Sequence, residues 1–160
     1  MLDKDNTAFI QMGVSISLAA CGPDHLPSMS RGLGCRVLAG DRQVGVFLRR
    51  SQSLDLLENI RSSRRVANVF SLPSSNRTVQ LKGVDARVEA FDPADLAIIE
   101  NHIDDFVREV TPLGMSENVV RTVYACMPDD LVMVVYTPCA AFSQTPGPKA
   151  GEPLSGMPTP

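Results

Sequence analysis

Tryptophan is absent, histidine occurs only at His25 and His102, and aromatic residues make up 5% of the chain. Two histidines leave too few ligands for a typical histidine metal centre and give no support for a Ser-His-Asp arrangement. His102 falls on an expected helix and His25 in a proline-bearing loop. Cys21, Cys35, Cys126 and Cys139 are widely spaced without a Cys-x-x-Cys pair, so neither a zinc site nor a redox dithiol is indicated and no metal is expected. No apolar run approaches membrane-spanning length, and Met1 to Asn6 is too charged for a signal peptide. These absences predict a cytoplasmic protein with no membrane contact. Positive charge is not in excess either: at a net charge of −3, a nucleic-acid partner held by phosphate neutralisation is not expected.

What is present suffices for one domain. A chain of 160 residues buries roughly two thirds of the surface that it exposes when unfolded. Val14, Ile16 and Leu18 alternate with small or polar residues from Gly13 to Ala20, which predicts a half-buried strand ending at Cys21-Gly22-Pro23-Asp24. A second strand over Ser28 to Leu38 and a third over Gln43 to Arg49 flank Ala39-Gly40-Asp41-Arg42, a hairpin signal that makes them antiparallel neighbours. From Ser53 to Arg64 the spacing turns helical, with Leu54, Leu57 and Ile60 on one stripe and Ser53 as cap.

Val66 to Leu72 reads as strand and Pro73 to Asn76 as turn. Arg77 to Phe91 then reads as one long strand whose apolar phase shifts at Gly83 from Val79 and Leu81 to Val84, Ala86, Val88 and Ala90, as a β-bulge would produce. Thr78, Gln80 and Lys82 share its polar face, and a long bent strand that turns polar groups inward suggests a barrel wall with a ligand. A second helix starts at Asp92 and Pro93, buries Leu96, Ile99, Ile103, Phe106 and Val110, and ends near Thr111-Pro112. Val119 to Cys126 and Leu131 to Tyr136 read as a closing hairpin. The expected fold is thus mostly β, a six-stranded antiparallel barrel with two flanking helices over residues 1–142. Residues 143–160 form a Pro/Gly-rich arm, extended or disordered, in which regular structure is not expected.

Arginine outnumbers lysine, and arginines cluster at element ends: Arg49 and Arg50 close the third strand, Arg64 and Arg65 the first helix, and Arg77 opens the long strand. The guanidinium fork suits bidentate contact with phosphate. After Arg49-Arg50 come Ser51, Gln52 and Ser53 and a helix start, whose free amides favour an anion. The rival reading is that these arginines solvate turns. Ser30 to Arg36 contains two glycines, but no helix follows them, so a dinucleotide fingerprint fails its context; the glycines let the strand bend, and Arg36 offers a donor beside Val37.

In this order of elements, the segment Arg77-Thr78-Val79-Gln80-Leu81-Lys82-Gly83 and the turn Arg49-Arg50-Ser51-Gln52-Ser53 resemble the pyridoxamine 5'-phosphate oxidase-like, FMN-binding split-barrel proteins over about Ala8 to Phe142. Arg77, Val79 and Gly83 agree with the family's strand motif, Thr78 and Gln80 depart from it, and the family's Ser-Arg-Lys turn is replaced. The resemblance implies a split barrel forming a homodimer with FMN in clefts between subunits. Val37, Phe47 and Leu48 would wall the isoalloxazine, Arg49, Arg50 and Ser53 would meet the phosphate, and Thr78 and Gln80 would bond ring or ribityl oxygens. The implied activity is hydride or electron transfer through the flavin, with substrate and electron donor unspecified and no catalytic residue assigned. The alternatives are a non-catalytic carrier or sensor of a flavin, haem or other flat cofactor, and a barrel that only dimerises.

Overall fold

Strict alternation of small or polar with apolar residues builds the first wall of the molecule. In β1 (Ser15–Cys21), Ile16, Leu18 and Ala20 point inward, while Ser15, Ser17 and Ala19 stay half-exposed. The same alternation holds in β4 (Val66–Ser71) and β5 (Thr78–Gly83), where Val79 and Leu81 are buried. The polar face of Thr78, Gln80 and Lys82 therefore looks out of the barrel, not into it as expected. The computed structural model describes residues 2–38, 40 and 42–154.

β2 (Pro27–Leu38) and β3 (Gln43–Arg49) pair antiparallel, with a register shift between Gly32 and Gly34 that bends β2. Within the expected hairpin turn, Ala39 and Asp41 lie outside the described residues. β6 (Arg87–Ala90) continues β5 after the break at Gly83, and β8 (Pro138–Ser143) continues β7 (Leu131–Tyr136). The sheet order is β6-β7-β3-β2-β1-β4-β5-β8. Because β6 pairs with β7 and β5 with β8, the two broken ribbons run alongside each other and bring the sheet round upon itself. Eight strands thus make six passes of the chain around a barrel.

At the junction of the two ribbons the Asp85 carboxylate accepts the Thr137 amide at 2.8 Å. That bond and the Arg87 charge hold its pKa below the ordinary value, although partial burial pushes it upward. Inside, Asn68 Nδ2 donates to the Tyr136 hydroxyl at 3.1 Å, joining β4 to β7 across the barrel. A Cβ at Gly83 would sit 2.6 Å from the Tyr136 ring, so only glycine lets the bent ribbon pass it.

Two cores result. Ile16, Leu18, Val46, Leu48, Phe70, Leu81 and Tyr136 fill the barrel; Leu56, Leu57 and Ile60 of α2 (Leu54–Ser63) plug the end where β1 finishes, and Phe9 of α1 (Lys4–Phe9) joins the same core from the end where β1 starts. The second core lies outside the wall. There Leu33, Phe47, Met133 and Val135 meet Ile99, Phe106 and Val110 of α3 (Leu96–Val110) and Val120 and Tyr124 of α4 (Glu117–Tyr124). β7 is consequently buried along its whole length.

Several expectations are corrected. Among the described residues there are four α-helices, not two, and eight strands, not six. Val119 to Cys126 is mostly α4: Val120 and Tyr124, four apart, are buried, while Val119 and Val123 are exposed. In α2 the inward stripe is Leu56, Leu57 and Ile60, leaving Leu54 exposed, and Ser53 makes no side-chain cap bond. α1 begins at Asp3, whose carboxylate accepts the Asn6 amide at 2.7 Å. Beyond Ser143 the described chain runs to Leu154. It turns back so that Ser143 N–H donates to the Glu152 carbonyl at 2.9 Å and Leu154 N–H to the Ala141 carbonyl at 2.9 Å, with Pro153 beside Phe142.

Tyr136→Phe should strip the fully buried Asn68 amide of its partner and destabilise the protein by about 1–3 kcal/mol. A urea midpoint unchanged from wild type would show that the bond across the barrel adds nothing.

Candidate functional site

The turn after β3 is the most polar junction of the fold. Arg49 donates from Nη2 to the carbonyls of Val123 at 3.2 Å and Ala125, capping the C-terminal end of α4. Arg50 donates to the Asp129 carbonyl. Ser51 gives its amide to Asp130 Oδ1 at 2.9 Å and its hydroxyl to Oδ2 at 2.5 Å, and these bonds hold the Asp130 carboxyl below its usual range. The two arginines are thus engaged by the 123–130 segment. Arg49 Nε is buried and has no partner among the described residues.

Beside this turn opens a cleft of about 420 Å³ lined by Ser28, Ser30, Ser51, Gln52, Ser53 and the first turn of α2. The amides of Leu54, Asp55 and Leu56 have no acceptor among the described residues, since α2 lacks a side-chain cap. Ser30 Oγ donates to the Gln52 carbonyl at 3.3 Å and ties β2 to the rim. A second hollow of about 210 Å³ shares Ser30, Gln52 and Ser53 and adds Arg31, Arg49 and Val123. The free amides, the Ser53 hydroxyl and an orphaned guanidinium nitrogen on one short arc are a donor set for an oxyanion.

The expected site residues do not all come together. Ser53 and Arg49 lie at the cleft, and Arg50 points past it to Asp129. Phe47 and Leu48 are fully buried in the two different cores, on opposite faces of β3, and Val37 packs against the inner one. They are committed to packing and form no common ring wall. Arg36 donates to Asp95 at 2.5 Å at the start of α3. Arg77 binds Asp5 at 2.6 Å and Asn6 at 3.1 Å and lies over the Phe9 ring. Thr78 and Gln80 are on the outer face of β5. The row Gln80, Val69, Ser17, Arg31 places Gln80 three strands from Arg31, roughly 14 Å away. Ser30 and Arg31 are cleft residues to which the sequence gives no role, beside Ser51 and Gln52 of the expected anion turn; Arg31 faces outward on β2 opposite Ser17, and that outward position was the available signal.

A smaller pocket of about 190 Å³ between β2 and α3 holds His102 and Arg36. His102 Nε2, Arg36 Nε and Asp95 Oδ2 lack partners among the described residues. The four cysteines are free, and among the described residues no group of three or more ligating side chains is placed to hold a metal ion. No helix among them is long and apolar enough to cross a membrane.

No family model and no curated protein matches the sequence. Among solved structures, an F420 reductase superposes with a TM-score of 0.55 at 17% identity, over 88% of this chain and 98% of its own. A candidate pyridoxamine 5'-phosphate oxidase from Lactobacillus delbrueckii gives 0.52 at 17% identity, over 88% and 93%. HutZ, the heme storage protein from Vibrio cholerae, gives 0.51 at 11%, over 89% and 94%. These likenesses establish the fold as that of the pyridoxamine 5'-phosphate oxidase-like split barrels.

Burial pushes the His102 pKa down from 6.5 to about 4, against the opposing pull of Asp105 and the Met12 and Val14 backbone. The unfolded chain therefore protonates first. This contribution to stability is complete above pH 6.5 and is lost as the pH falls to about 4, a change of about 3 kcal/mol. His102→Gln should flatten the dependence of the urea midpoint on pH in that window; an equal slope in both proteins would show that another group governs it.

Proposed function

We propose that this chain, a split barrel of the pyridoxamine 5'-phosphate oxidase-like fold, is an FMN-binding flavoprotein that works as a cytoplasmic homodimeric oxidoreductase. The observation that carries the reading is the cleft at the start of α2, where three amides without acceptors and the Ser53 hydroxyl line one wall. A phosphate is the anion such a wall fits: it accepts many short hydrogen bonds and is stabilised by the positive end of a helix. Arg49 Nε and Gln52 would complete the grip from the neighbouring hollow.

When bound, FMN supplies hydride or electron transfer. The chain's part is to fix the phosphate, to shelter the flat body of the ligand along the outer edge of β2, and to keep water from it. Met29 and Val123 offer apolar surface there. Because Thr78 and Gln80 sit three strands away, they reach a ligand only if they come from a second copy. The half-exposed face of Ser17, Ala19, Ala67 and Val69, on two paired strands, would seat it. Likeness to a heme storage protein favours a second reading, a carrier of haem or another flat cofactor without turnover.

Titration with FMN should quench the flavin fluorescence to saturation, and reduced nicotinamide should then be oxidised in sustained turnover. Gln52→Glu, which puts a like charge into the cleft on an exposed side chain, should weaken FMN about tenfold at low salt without moving the urea midpoint. A shifted Soret band with haem, together with indifference to saturating FMN, would replace the flavin reading by the carrier one.

Sedimentation should give twice the 17.3 kDa chain mass. Ala19→Glu, on the half-exposed sheet face, should shift the protein toward monomer. A wild-type monomer that binds FMN as tightly would overturn the two-copy site.

A further inference from the structure

Arg31 stands between two hollows. On one side it joins Arg49 at the rim of the anion cleft, and on the other it lines a larger pocket of about 800 Å³. The floor of that pocket is apolar and buried, made by Phe106 and Val110 of α3. Leu113 and Met115 of the connection from α3 into α4 and Val119 of α4 stand around it, each about half exposed. A volume of this size lies within the range of small-molecule sites, and a methionine at the rim adapts to ligands of different outline.

Arg31 is the one ionisable side chain among the residues that line the pocket. Its guanidinium donates to the Tyr124 hydroxyl at 3.4 Å and lies 5.6 Å from the centre of that ring. Among the described residues it forms no ion pair, unlike Arg36, Arg61, Arg77, Arg87, Arg108 and Arg121. Its charge is therefore held in place by an aromatic face and a neutral phenol, with its attraction for an anion unspent.

We propose that this pocket binds an amphipathic monoanion, with a carboxylate at Arg31 and an apolar, preferably aromatic, body over Phe106, Val110 and Val119. The charge sits at one end of an apolar floor, and that polarity fixes the orientation of the ligand. The binding site stands on its own residues; only the further step of calling its ligand the substrate rests on the flavin reading, since Arg31 places the pocket beside the anion cleft.

The probe is 2-naphthoate, titrated calorimetrically into the full chain with and without saturating FMN, with naphthalene-2-carboxamide as the neutral control. Saturable binding of 2-naphthoate is expected. Arg31→Gln should weaken it about tenfold while changing the carboxamide by less than about twofold, and Arg31→Lys should recover most of the loss. Val119→Asp, at an exposed helix position, should weaken both probes. Absence of saturable 2-naphthoate binding, or equal affinity in Arg31→Gln and wild type, overturns the site. Binding of 2-naphthoate by a protein that ignores FMN supports the pocket and removes only the flavin reading.

Discussion

Closure of the barrel depends on the way two long ribbons break at the same level. The 78–90 and 131–143 segments each bend where they pass one another, and the carboxylate of Asp85 takes the amide of Thr137 that the bend would otherwise leave without a partner. Gly83 lets the Tyr136 ring lie against the opposite ribbon, and the phenol reaches Asn68 inside. Strand order, the inner core and the position of α2 across the open end all follow from this crossing. It also explains why β7 is buried on both faces while β1 and β5 keep one face half open.

That asymmetry decides where a ligand can sit. The half of the wall beneath α3 and α4 is sealed by the second core, so Phe47 is unavailable to anything but its neighbours, Phe91 among them at 5.8 Å. Polar donors gather at the margin where α2, β2 and the α4 end meet. The arginines around that margin are largely consumed in holding it together: Arg49 and Arg50 satisfy carbonyls at the end of α4 and in the turn beyond it. Positive charge near the cleft thus serves the scaffold first, and the oxyanion donors are mainly the amides at the start of α2.

Much of the fold was legible where burial is one-sided. The alternation in Ser15–Cys21 and Thr78–Gly83 and the irregularity at Gly83 follow the pattern. Beyond Gly83, however, Val84 and Ala90 are exposed, and α3 buries Ile99, Phe106 and Val110 together with His102 and Val107 while Leu96 and Ile103 are only partly covered. Glu117–Tyr124 was misread because Val119, Val120, Thr122 and Val123 are β-branched and suit a strand as single residues, whereas burial of Val120 and Tyr124 against α3 selects a helix. Lys4–Phe9 is too short for a period to show, and β8 is built from small residues behind a proline. The site was only partly legible because a guanidinium suits carbonyl and phosphate oxygens equally well in sequence; Arg36 and Arg77 prove to be anchors for α3 and α1.

The returning chain after Ser143 does more than tidy the terminus. β8 is the last strand in the order, and its outer side would otherwise present open amides and carbonyls to solvent. The Glu152 carbonyl and the Leu154 amide occupy that side, and Pro153 has no N–H to offer a further strand. A segment whose composition suggests a loose appendage acts as a selvedge, denying neighbouring molecules a seam along which to polymerise.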